Sequence, residues 1–169
     1  MKTLDDKLLL ILMKQTENKM IAYIMKFIAV YTSKIFMTIY GVYIIFLIII
    51  RDPILIPFLA GPLLSLLSVV IIRHFVKRER PFVMYAIEPL ISHDKGPSFP
   101  SKHGTSAFAI AFAIFWIHPL IGGVAIVLAL LTGISRIMVG VHYPSDILAG
   151  LLIAIGMTRL AYVISFILL

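Results

Sequence analysis

The sequence predicts an all-α fold: a polytopic membrane helix bundle of about five spans, six being possible. An N-terminal interfacial amphipathic helix precedes it, and residues 1–169 form a single integral-membrane domain. Three observations carry this. Hydrophobic residues make up 61% of the chain, with mean hydropathy +1.06, and only 14% of residues are charged, a composition foreign to soluble domains. Uncharged runs extend from Pro53 to Ile72 and from His103 to Ser135, the second interrupted by His118-Pro119. A spanning helix needs about 20 apolar residues, so these runs supply one span and a hairpin of two.

Leu4 to Lys14 is amphipathic and too short to span, which suits a helix lying in the interface. Asp5 and Asp6 ahead of its apolar run do not fit a cleavable signal peptide. Lys19 to Ile50 is read as one long or bent helix; splitting it at Lys26 or at Thr32-Ser33-Lys34 would give the sixth span. Arg51-Asp52-Pro53 is a turn, and the second span runs from Ile54 to about Val76. A polar connection with four prolines covers Lys77 to Ser101. The third span follows from His103 to about Ile117, the fourth from Ile121 to about Val139, and the fifth from about Ser145 to the C-terminus. There are no cysteines, which excludes disulfides and thiolate metal sites.

The net charge is +7, but six of the fifteen Lys and Arg residues lie between Arg73 and Lys102. A cation cluster at a membrane surface suits an anionic lipid headgroup, and no nucleic acid is expected as a partner. From Pro97 onward, formal charge is confined to Lys102, Arg136, Asp146 and Arg159. Charge within a membrane segment costs several kcal/mol and points to function. Threading five spans brings Arg73, Arg80, Ser101, His103, Arg136, His142 and Asp146 to one membrane face.

That set matches the needs of phosphoryl transfer, where catalysis is positioning plus electrostatic stabilisation. Arginines clamp phosphate through bidentate, permanently charged donors. His142 and Asp146 are four apart at a helix start and can share a face. A carboxylate on one ring nitrogen leaves the other free to attack, so His142 is the better nucleophile and His103 the better acid. Each piece alone has a bland reading: a helix-start hydrogen bond for His142 and Asp146, and a serine cap for Ser101.

Together the residues resemble the type 2 phosphatidate phosphatase superfamily, whose motifs are Lys-x6-Arg-Pro, Pro-Ser-Gly-His and Ser-Arg-x5-His-x3-Asp. The third is matched in full from Ser135 to Asp146. The second is Pro100-Ser101-Lys102-His103, with Lys in place of Gly, and the first is Arg80-Pro81 with Arg73 in the Lys position. The resemblance implies that His142 forms a phosphohistidine, Asp146 orients it and His103 is the general acid. It also implies that Arg73, Arg80, Ser101 and Arg136 hold the phosphate without a metal or other cofactor. Lys102 is a further candidate phosphate contact; its other reading is a side chain that snorkels to the interface.

Ile91-Ser92-His93-Asp94 followed by Ser98-Phe99-Pro100-Ser101 looks like the bacterial undecaprenyl-diphosphate phosphatase branch, although members of that branch carry an acidic residue where Lys102 stands. That branch would cleave the terminal phosphate of undecaprenyl diphosphate at the extracytoplasmic face of the bacterial cytoplasmic membrane, recycling the cell-wall carrier lipid. The alternative substrate is phosphatidylglycerophosphate or phosphatidate. A small proton-coupled transporter or channel is a different class, disfavoured because the ionisable residues gather at one end of the bundle. Arg159 is expected to snorkel to the far interface, and His74 and His93 to be solvated. The oligomeric state is left open.

Overall fold

A computed structural model describes residues 3–168, and all regular structure among them is helical. The helices are α1 (Leu4–Lys14), α2 (Lys19–Ile49), α3 (Leu55–Phe75), α4 (Pro81–Met84), α5 (Lys102–Ile117), α6 (Pro119–Met138) and α7 (Pro144–Leu168), with a short 3₁₀ turn at Gln15–Glu17 between the first two. The expected fifth span reaches the C-terminus; Leu169 lies outside the described residues.

Local chemistry sets the boundaries. Thr3 and Asp6 form a reciprocal capping box at the start of α1, which satisfies two of the amide groups a helix start leaves without partners. Asn18 caps α2 by accepting from the amides of Met20 and Ile21. Asp52 accepts from the Ile54 amide at 2.9 Å and shapes the turn into α3. His118 ends α5, and Pro119 opens α6 without an intervening loop. Pro144 is the first residue of α7, where its missing N–H costs nothing.

The six-span alternative is overturned, because α2 runs unbroken from Lys19 to Ile49. Thr32 donates its hydroxyl to the Ile28 carbonyl at 2.6 Å, and Lys26 and Lys34 are exposed. The Ser33 hydroxyl is buried without a partner, yet the helix continues through it. By length and apolar composition α2, α3, α6 and α7 can each cross a membrane, while α5 is a shorter apolar helix. The chain is a multi-pass membrane protein.

Helix α5 is the axis, packed by α2, α3, α6 and α7. Its alanines Ala107, Ala109, Ala111 and Ala113 are all buried. In lipid, helices associate through close backbone approach at small residues. Gly150 of α7 is such a point: a Cβ there would stand 2.6 Å from Thr105 Oγ1 of α5. The outer surface carries the large apolar residues, as at Leu120 (84% exposed) and Phe166 (91%). The C-terminal ends of α3 and α6 and the N-terminal ends of α5 and α7 meet at one end of the bundle. Helix α1 and the loop from Val76 to Pro100 lie at that same end.

Candidate active site

The site is built around the 139–143 loop and the first turn of α7. Gly140 makes the bend with φ +83°, a conformation L side chains rarely adopt. This places His142 against Asp146, with His142 Nδ1 3.2 Å from Asp146 Oδ2, both side chains buried. The same oxygen accepts from the Tyr143 amide at 2.9 Å. His142 Nε2 lies 3.3 Å from Arg80 Nη1. A guanidinium can only donate, so Nε2 carries the lone pair and Nδ1 carries the proton given to Asp146. Burial, and then Arg80, Arg136 and Arg73, hold His142 well below the usual imidazole range. It is neutral at physiological pH.

Burying a neutral imidazole makes stability depend on pH in one direction. An unfolded histidine takes up its proton near pH 6.5, while the folded one resists it. The unfolded state therefore binds more protons below that value. Stability is expected to hold above about pH 6.5 and to fall as pH drops through the interval down to the depressed folded value. Thermal unfolding in detergent between pH 8 and pH 5 checks this; a flatter decline in His142→Gln would locate the effect.

The predicted residues do not all do the same thing. Arg80 is fully enclosed and holds the loops: it donates to the carbonyls of Gly96 (2.9 Å) and Val141 (3.1 Å) and to Asp94 Oδ1 (3.1 Å). Arg73 is turned to the connection, donating Nε to the Pro100 carbonyl at 3.1 Å and Nη2 to the Pro97 carbonyl. Ser101 is the N-cap of α5 and accepts from the Gly104 amide at 3.2 Å. Its hydroxyl proton is not consumed by that contact, so the capping and phosphate readings are compatible. Arg136 is 3% exposed and donates Nη1 to the Ala29 carbonyl, while its Nε and Nη2 meet no partner. A buried donor without a partner costs about 1–3 kcal/mol, a cost that a bound anion would relieve.

Arg136 and His103 line a cavity of about 550 Å³, together with Lys26, Ile91, His93 and Asp94. His103 is exposed to this space. Lys102 is exposed and lines a neighbouring groove with Ser33, Phe36, Leu66 and Ser106, a groove that shares His103 with the cavity. Adjacent residues on a helix face different directions, so Lys102 and His103 leave the first turn of α5 on different sides.

His93 is a correction. It was expected to be solvated, yet its side chain is only 13% exposed. Its ring lies 6.0 Å from that of His103 and 6.3 Å from that of His142. Burial, then Arg80 and Arg136, push its pKa down. Asp5 and Arg78 were likewise not anticipated. Arg78 donates to Asp146 Oδ1 at 3.0 Å and to Asp5 Oδ2 at 2.6 Å. Asp5 accepts from the Ser145 amide at 2.9 Å. His74, by contrast, is exposed as expected, and Arg159 is exposed at the far end beside Trp116 and Tyr162.

The chain is 47% identical over 76 residues to undecaprenyl-diphosphatase BcrC of Bacillus subtilis (strain 168), covering 45% of this chain and 39% of that protein. It is 41% identical over 80 residues to the putative undecaprenyl-diphosphatase YbjG of Escherichia coli (strain K12), covering 47% and 40%. The alignments thus take in about two fifths of the length of these relatives. The crystal structure of Aquifex aeolicus LpxE superposes with a TM-score of 0.71 at 26% identity, covering 85% of this chain and 86% of that one. The PAP2 superfamily pattern matches residues 54–168. That match takes in α3 through α7 and every motif residue of the site, and the chain belongs to the PAP2 superfamily.

Proposed function

We propose that the protein is a membrane-integrated lipid phosphatase that removes the terminal phosphate of undecaprenyl diphosphate through a phosphohistidine. The observation that carries the reading is the buried Arg136 guanidinium, with two nitrogens unpartnered, in the cavity that also presents His103. An oxyanion is the group that fits there. The named relatives support a polyprenyl diphosphate as its bearer.

In this reading His142 Nε2 attacks the terminal phosphorus as the bond from phosphorus to the bridging oxygen breaks. His103 gives a proton to that leaving oxygen. Asp146 holds the Nδ1 proton while charge develops on the ring. Water, deprotonated by His103, then attacks the phosphohistidine and releases inorganic phosphate. Arg136, Arg80 and Ser101 stabilise the equatorial oxygens, and Arg73 acts by shaping the loop carrying Pro97 and Pro100. The polar end of the bundle faces the extracytoplasmic side of a bacterial cytoplasmic membrane, where a released carrier lipid is ready for reuse.

A substrate panel in detergent tests this. Phosphate release is expected to be fastest from undecaprenyl diphosphate and at least about tenfold slower, in kcat/KM, from phosphatidylglycerophosphate and phosphatidate. Preference for either glycerolipid would overturn the substrate. Among the described residues no group of three or more His, Cys, Asp or Glu is placed to hold a metal ion. EDTA is accordingly expected to leave turnover within about twofold; loss restored by added metal would overturn the mechanism.

A further inference from the structure

We infer that the N-terminal helix belongs to the working site: Asp5 and Arg78 are positioning residues that hold Asp146, and through it His142, in the attacking geometry.

Asp146 uses one oxygen for His142 and the Tyr143 amide, and the other is held by Arg78. Arg78 is itself fixed on three sides. It donates to Asp5 and to Ser145 Oγ, each at 2.6 Å, and its guanidinium lies 3.7 Å over the Tyr143 ring. Asp5 closes the circuit by accepting from both the amide and the hydroxyl of Ser145. One carboxylate from α1 thus grips the first turn of α7 and, through Arg78, the carboxylate that orients the nucleophile. Burial alone would raise the pKa of Asp5, but hydrogen bonds from Ser145 and Arg78 hold it below the usual value.

Helix α1 is seated firmly enough to transmit this. Leu9 is fully buried in the core that also contains Tyr143 and Ile147. Met13 lies against Gly140, where a Cβ would stand 3.2 Å from Met13 Cε. The helix therefore packs on the bend that aims His142 and binds the turn that follows it. Neither Asp5 nor Arg78 belongs to the three motifs, and Asp5 lies outside residues 54–168. Without Asp5, the Arg78 side chain, 30% exposed, would keep only Ser145 Oγ and the Tyr143 ring to hold it on Asp146.

The inference rests on the phosphohistidine reading, so His142→Ala accompanies the test. Full-length Asp5→Asn, Arg78→Gln and the double variant are purified in detergent, and lipid phosphate hydrolysis and thermal unfolding are measured. Each single variant is expected to lower kcat about tenfold to thirtyfold, with KM within about twofold. The double variant is expected to be no more than about threefold worse than the poorer single one, because both act through Asp146. Asp5→Glu and Arg78→Lys, which keep the charges, are expected to fall between wild type and the neutral variants. They carry the test if the neutral ones fail to fold.

Wild-type kcat in the folded variants would overturn the inference, as would fully multiplicative losses in the double variant. A raised KM with unchanged kcat would also overturn it and make Arg78 a substrate contact. An inactive His142→Ala beside a fully active Asp5→Asn would sink this inference alone. An active His142→Ala would sink the functional reading beneath it.

Discussion

Replacing His142 by Ala is expected to lower phosphate release by about four orders of magnitude or more, with folding largely retained. The substitution removes the atom that would bond to phosphorus, so the arginines can still bind substrate without an attacking group. The imidazole is fully buried and held between Asp146 and Arg80, and alanine would leave a polar void. Small losses in thermal stability are therefore expected, but no loss of substrate binding. Phosphate release in detergent, with substrate affinity measured separately, checks both halves. Turnover within tenfold of wild type would remove His142 from the nucleophile's role.

Asp146→Asn is expected to cost about a thousandfold in kcat while changing the shape of the side chain very little. Its two oxygens have different partners: Oδ2 accepts from His142 and the Tyr143 amide, and Oδ1 accepts from Arg78. An amide can match only one of these positions. With its oxygen toward His142, its NH₂ meets the donors of Arg78. With its NH₂ toward His142, it opposes the Tyr143 amide and forces the proton onto Nε2, the nitrogen that must attack. Either orientation places donor against donor in a buried setting, where an unmade bond costs about 1–3 kcal/mol. The expected signature is a fall in kcat with little change in KM. A variant with near-normal kcat would show that the tautomer is set by something else.

Much of this molecule was legible in its sequence because apolar run length, capping chemistry and proline position report directly on helices in a membrane. The limits of α1 follow from those signals, whereas α6 and α7 open at Pro119 and Pro144, just ahead of the expected starts at Ile121 and Ser145. The convergence of Arg80, Ser101, His103, Arg136, His142 and Asp146 follows from simple alternation of span direction. His93 was misplaced because a polar, proline-rich connection reads as solvated, whereas this one folds back over the site and encloses its histidine. Asp5 could not be connected to the site by local pattern, since Ser145 lies 140 positions away from it. That Arg80 touches the histidine while it braces the loops, and Arg73 only braces a loop, is likewise a matter of side-chain reach.

The shortness of α5 has a consequence for how a lipid reaches the site. Its 16 residues span about 24 Å, whereas a typical hydrocarbon core is about 30 Å thick. A helix of that length set with its far end at one boundary stops several ångströms short of the opposite one. Under the proposed function, a helix so set would hold His103 below the headgroup level. A span shorter than the hydrocarbon core is accommodated by local thinning or by water at its mouth. In the proposed function, a lipid phosphate drawn down to meet it would not have to lift its tail out of the leaflet, and the depth of the helix start would favour substrates that stay anchored.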